Sequence, residues 1–306
     1  LRHWPAIAVA FVSGATLAVQ GRINAGFALE INDGLFAALV SCAIGMALMA
    51  VIVLAFPSRR RLLGNVLPAI RERRLRWWFL LSGLGGSFFV ASQALGVPVL
   101  GIALFSMTVT AAQVTSSLGV DRLGIGPMGR TAVTSRRVIA ALLGLGAVAV
   151  ATLGRSSVEA SVPIVAVLMV MVVGALMAPQ QALNARIARE THSLSVPTLI
   201  NFTASTVGLV VAVLIAQRGI PPLLSDGVPA WLLLGGPLGL IYIGTATAVV
   251  RVVGVLLFFL TAVAGQLAAS LVIDIVLPVP GTVISWGLIS ALMISLLAVM
   301  VGALRR

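Results

Sequence analysis

One pattern of five residues occurs twice in this chain with identical spacing. Gly101, Phe105, Gln113, Ser117 and Asp121 recur as Gly254, Phe258, Gln266, Ser270 and Asp274, an offset of 153 (254 minus 101). Each copy is a largely apolar stretch, 101–121 and 254–274. At about 1.5 Å rise per residue, such a stretch spans roughly the 30 Å hydrocarbon core of a bilayer as a helix. Gln, Ser and Asp stand four residues apart, so all three share one helix face. Hydroxyls on such a face bond to neighbouring helices, and that suffices for Ser117 and Ser270. Two Gln and two Asp held in register are different, because polar side chains at membrane depth are costly and mark pathways. The pattern predicts one wall of a route through a membrane.

Composition agrees with that placement. The 306 residues are 60% hydrophobic and 9% charged, with a mean hydropathy of +1.15, which excludes a soluble globular domain. Arg, Pro and Gly punctuation divides the chain into ten predicted spans: 5–28, 34–56, 77–97, 101–121, 136–154, 163–186, 194–216, 230–250, 254–274 and 282–303. The first run is too long for a removable signal and has a counterpart at 163–186. The fold class expected is an all-α integral membrane protein.

All 20 basic residues are arginine. Ten spans put both termini on one face, and that face receives every arginine except Arg22, Arg155 and Arg218. The excess assigns it to the cytoplasm. Short loops account for this charge, so no nucleic-acid partner is expected despite a pI near 11.9. The longest loop, Pro57 to Arg76, carries seven arginines and suits contact with anionic lipid headgroups.

The repetition extends beyond the opening pattern. Gln20, Asn24 and Glu30 match Gln180, Asn184 and Glu190 at an offset of 160 (180 minus 20). Trp78, Gly83 and Gly86 match Trp231, Gly236 and Gly239 at 153, and Ile139, Leu142 and Arg155 match Ile289, Leu292 and Arg305 at 150 (289 minus 139). Two copies of one unit are implied, 1–155 and 156–306. Five spans per copy is an odd number, so the second copy enters the membrane from the opposite side and the halves form an inverted repeat. Ser82 with Gly86, and Gly235 with Gly239, have the spacing that lets helices approach closely and are read as packing positions. Spans five and ten carry almost nothing polar and suit lipid, or a second copy of the chain in a homodimer.

Catalysis finds little support. His3 and His192 lie outside the spans and Cys42 is alone, so neither a nucleophile with its base nor a metal cluster can be assembled from them. No enzyme activity, metal or cofactor is expected. Depth sorts the polar groups into two layers: Gln20 and Asn24 with Gln266 toward the outer face, and Gln180 and Asn184 with Gln113 toward the cytoplasm. Tyr242, Ser117 and Ser270 join the amides as candidate substrate contacts, and Thr245, Ser92, Gln93, Ser41 and Asn201 are further lining candidates. Asp121 and Asp274 fall at span ends, one on each face, as candidate gates or coupling groups.

A five-span unit whose first span ends in Gln and Asn, followed by a Gly-x3-Phe-x7-Gln-x3-Ser-x3-Asp span, resembles the YdcZ-like branch of the drug/metabolite transporter superfamily. The resemblance covers both halves, as a tandem fusion. It implies an inner-membrane exporter, expected in a bacterial cell, within a superfamily that moves small metabolites, amino acids, nucleotide sugars and cationic drugs. Small multidrug members of the superfamily place a carboxylate in the middle of the first span. Here that span offers Gln20, Arg22 and Asn24 near its end, which argues against proton-coupled cation export by that route.

The expected function is therefore a secondary transporter that exports a small polar or amphipathic metabolite by alternating access, with membrane lipids around it. The alternative is a lipid-handling scramblase or flippase, or a membrane subunit that binds a partner through its basic loop.

Overall fold

Inside hydrocarbon no water satisfies backbone N–H and C=O groups, so an apolar chain must close its hydrogen bonds within helices. The computed structural model has this character, with every regular element among the described residues helical. It describes residues 4–126, 129, 130, 132–156, 163–216, 228–253, 255–280 and 282–303. Of these, 137, 154–156, 244, 246–248, 250–253, 255–260, 302 and 303 are described by their backbone alone. Gly254, Arg218 and most of the loop between the repeats lie outside the described residues.

The helices are α1 (Trp4–Glu30), α2 (Gly34–Ala55), α3 (Pro57–Leu63), α4 (Val66–Arg71), α5 (Gly83–Leu100), α6 (Ile102–Leu123), α7 (Ser135–Ser156), α8 (Ile164–Thr191), α9 (Ser195–Ile215), α10 (Gly235–Val253), α11 (Val255–Val276) and α12 (Trp286–Ala303). Short 3-10 turns, Trp77–Ser82 and Ala230–Leu234, lead into α5 and α10, so the repeat reaches down to irregular turns. Six segments are long and apolar enough to cross a membrane: α1, α2, Trp77–Leu100, α6, α8 and α9. Four shorter apolar stretches, Val138–Leu153, Ala230–Ile243, Thr261–Val276 and Trp286–Val301, stand where the other expected spans were placed.

The segment expected to be a long loop, 57–76, contains α3 and α4. Pro57 opens α3 at a position where its missing N–H costs nothing. The apolar side of this segment, with Leu62, Leu63, Val66, Ala69 and Ile70, packs on Leu183, Ile187 and Val196 of α8 and α9. That surface belongs to the other repeat, so nothing local in the sequence announced it.

Helix ends are set by particular side chains. Asp33 caps α2, its Oδ1 accepting from Leu35 N and Phe36 N, both at 3.0 Å. Gly124, at φ 68°, ends α6 in the left-handed conformation that glycine adopts without a Cβ penalty.

Packing interlocks the halves. The α1 helix packs on α11 and on α10, and its counterpart α8 packs on α6 and on α5; α2 packs on α9 and α7 on α12. Spans five and ten thus pair with each other as α7 and α12, while Leu142, Leu153, Met293 and Leu297 stay exposed. The main core draws Ala18, Leu104 and Ala147 from one half and Val167, Leu267 and Ala291 from the other. Where α1 crosses α11 the backbones nearly touch: a Cβ on Gly14 would lie 1.7 Å from Ala262 O, and one on Gly265 would lie 2.0 Å from Phe11 O. The α8–α6 crossing repeats this at Gly174, where a Cβ would lie 2.7 Å from Val109 O. Close approach of this kind replaces the hydrophobic driving force that lipid removes.

Candidate functional site

The repeated amides divide by residue type. Both asparagines are tied to protein: Asn24 Nδ2 donates to Gln93 Oε1 over 2.8 Å, and Asn184 Oδ1 accepts from Ser82 Oγ over 2.9 Å. None of the four glutamines is tied. Among the described residues Gln20, Gln113, Gln180 and Gln266 have no side-chain hydrogen bond, and Gln20 Oε1 and Gln180 Oε1 are buried atoms without a partner. A buried polar atom left unpaired costs about 1–3 kcal/mol. Two such atoms at matched positions of the two repeats, Gln20 Oε1 and Gln180 Oε1, are not explained by helix cohesion.

Each glutamine of the first pair rests on a glycine of the other repeat. At Gly239 on α10 the space of a Cβ is 3.2 Å from Gln20 Nε2, and at Gly86 on α5 it is 3.1 Å from Gln180 Nε2. One turn earlier stand Gly235, whose Cβ would lie 2.1 Å from Asn24 Oδ1, and Ser82, which bonds Asn184. The spacing read as close helix packing therefore also makes seats for the amides. The four-residue spacing common to the small-residue and amide series carried the signal, which becomes legible once α1 is known to face α10 and α8 to face α5.

Exposure separates the two layers. Gln20 and Gln266 are buried, with 5% and 7% of their surface exposed, whereas Gln113 and Gln180 are half-buried. Asn24 and Ser270 likewise are buried and their counterparts Asn184 and Ser117 half-buried. The α1 helix also packs on α5, where Asn24 meets Gln93, and no comparable packing of α8 on α10 occurs among the described residues.

Asp274 is committed to a backbone. Its carboxylate accepts from Ile102 N at 2.9 Å and Ala103 N at 2.7 Å, the free donors that open α6, and Thr282 Oγ1 donates to it at 3.3 Å. Gly101, at φ 75°, makes the bend between α5 and α6 that presents these donors. Arg22, expected near the outer end of span one, lies in α1, and its Nε donates to Leu277 O at 2.9 Å, just past the end of α11. A cation there complements the negative end of the helix dipole. Asp121 occupies the matching place near the end of α6; Gly254, its counterpart to Gly101, lies outside the described residues.

Both repeated hydroxyls bond to protein. Ser270 Oγ bonds Ser106 Oγ at 2.8 Å across the α6–α11 contact, and Ser117 Oγ donates to Val114 O at 2.6 Å in its own helix. Tyr242 packs beside Ala10 and Ala262 where α1, α10 and α11 meet. Of the further lining candidates, Gln93 holds Asn24, Ser41 flanks Gly235, Asn201 flanks Gly86, and Ser92 bonds Phe89 O in its own helix. An apolar groove of about 340 Å³ between α7 and α12, lined by Leu142, Gly146, Val150 and Ile294 among others, borders none of the amides. The site can donate and accept hydrogen bonds without taking up protons, since amides do not titrate near neutral pH.

A family model described as "Putative inner membrane exporter, YdcZ" matches residues 5–150 and again residues 165–301. The chain belongs to the YdcZ family. Two consecutive matches make it a tandem YdcZ protein and support an integral membrane protein of the exporter class. No curated protein matches the sequence. The two matched regions fall on α1 to α7 and α8 to α12, the same division as the amide pairs.

Proposed function

We propose that this YdcZ protein is a secondary transporter, with ten spans in two inverted repeats, that exports a small polar or amphipathic metabolite by alternating access. The observation that carries the proposal is the set of four glutamines, two from each repeat, whose side chains have no hydrogen bond among the described residues, beside asparagines that each bond one neighbouring side chain. A neutral, amide-lined route suits a neutral or zwitterionic substrate. A permanent cation would shed its hydration shell there without a compensating charge.

Inversion is supported by the helix pairing, in which α1 on α11 and α10 is matched by α8 on α6 and α5. With both termini in the cytoplasm, Gln20 and Gln266 form the outer layer and Gln113 and Gln180 the inner one. Burial of the outer pair and partial exposure of the inner pair fit an inward-facing state. The exchange to the outward-facing state would part Gln20 and Asn24 from Gly239 and Gly235, while α8 closes on α10. In this mechanism α5 and α10 are the moving walls and α7–α12 the fixed pair.

The deciding experiment is substrate flux in proteoliposomes for Gln20→Ala, Gln113→Ala, Gln180→Ala and Gln266→Ala, beside unfolding of each variant in detergent. Flux should fall by tenfold or more, about 1.4 kcal/mol, with stability within about 0.5 kcal/mol of native. Normal flux in all four would remove the site.

A further inference from the structure

We propose that the collar formed by α3 and α4 is a docking surface for anionic phospholipid headgroups, and that lipid bound there clamps the collar to the second repeat. The collar's apolar face is already covered by α8 and α9 through the cluster around Ala69, Leu75 and Ile187. On and just after these helices Arg60, Arg61, Arg71, Arg73 and Arg76 are all exposed, and none has an ion-pair partner among the described residues. Only one acid, Glu72, lies between Pro57 and Arg76, and it is taken by Arg74 at 2.8 Å. Five exposed guanidiniums in one short segment, none in an ion pair among the described residues, call for an anionic partner with several acceptor oxygens, which a phosphodiester headgroup supplies.

The rim of the collar identifies the partner as lipid. Phe56, Trp77 and Trp78 are exposed where α2 ends and the turn into α5 begins, at 52%, 66% and 39%. Arg59 lies over the Phe56 ring at 4.9 Å. Exposed tryptophans at span ends sit at headgroup depth, and arginines beside them meet a negative membrane surface. A soluble acidic protein would have no use for that aromatic rim. The collar also reaches the other repeat by polar contacts: Arg74 Nη1 meets Glu190 Oε2 at 3.0 Å, and Asn65 Nδ2 donates to Thr191 O at 3.5 Å. Lipid held by the five arginines would therefore press the apolar face onto the α8–α9 turn.

The test uses the purified full chain in neutral detergent, titrated with phosphatidylglycerol, phosphatidylcholine or inorganic phosphate, and read by lipid retention in native mass spectrometry and by thermal unfolding. Phosphatidylglycerol should be retained and should raise the unfolding temperature, with both effects fading in high salt; phosphatidylcholine and inorganic phosphate should do neither. The variant R60Q/R61Q/R71Q/R73Q/R76Q should bind phosphatidylglycerol roughly tenfold more weakly or worse. R74Q, which keeps the five arginines, should retain lipid as the native chain does and lose most of the rise in unfolding temperature. Equal retention of both lipids, binding by the quintuple variant within twofold of native, or full competition by inorganic phosphate would each overturn the proposal. Should the quintuple variant not fold, retention by R60Q/R61Q and R71Q/R73Q pairs decides by the same criterion.

Discussion

The hydroxyl of Ser82 donates to Asn184 Oδ1 over 2.9 Å, and in the other repeat the place of Ser82 is taken by Gly235, pressed against Asn24 Oδ1. Equivalent positions thus hold the same amide in two ways, by a hydroxyl and by bare backbone. Ser82→Ala should cost about 0.6 kcal/mol, the average for an interhelical hydrogen bond in a membrane. Gly235→Ser should cost more, because its Cβ would stand 2.1 Å from the Asn24 oxygen. Unfolding of both variants in mixed micelles measures the difference, and equal losses would contradict this packing.

The layer asymmetry is checked by chemical access. In a Cys42→Ser background, cysteines at Gln113 and Gln180 should react with a membrane-impermeant thiol reagent supplied from the cytoplasmic side, at least tenfold faster than cysteines at Gln20 and Gln266. The half-buried and buried states of these positions set that order. Equal rates at all four would mean that the inner layer is not the open one.

The two aspartates test coupling against capping. Asp274→Ala strands two buried N–H donors at the start of α6, each costing about 1–3 kcal/mol. Asp274→Asn keeps one acceptor and should cost less. If capping is their role, flux in proteoliposomes will be indifferent to an imposed pH gradient in the native chain and in Asp121→Asn with Asp274→Asn. A gradient dependence that vanishes in the double variant would instead make them the coupling groups.

Orientation is checked by labelling. Cysteines at Ser156 and Arg218 should react with an impermeant reagent from outside intact cells, and those at Arg73 and Arg130 should be protected. The reverse pattern would exchange the two layers and turn the inferred state from inward-facing to outward-facing.

What the sequence determined by itself was whatever depends on local spacing and on transfer from water to lipid. The apolar runs fix helices because backbone groups in hydrocarbon can be satisfied no other way. The matching of Gly101 through Asp121 with Gly254 through Asp274 fixes the duplication, since register survives in primary structure. The Gln and Asn residues stand out because polar groups at that depth are rare and costly. Tertiary structure decided what each of them touches. Gln20 and Asn24 are one turn apart and chemically alike, yet only Asn24 finds a partner, because Gln93 arrives from α5. Asp274 reads as a candidate gate from its place at a span end, and its carboxylate accepts from Ile102 N and Ala103 N because Gly101 turns the start of α6 toward it. The Arg-rich segment reads as a loop and forms α3 and α4 because α8 and α9 supply the surface for its apolar side. In each case the deciding group comes from a distant part of the chain, and packing between helices, which no local pattern encodes, brings it within reach.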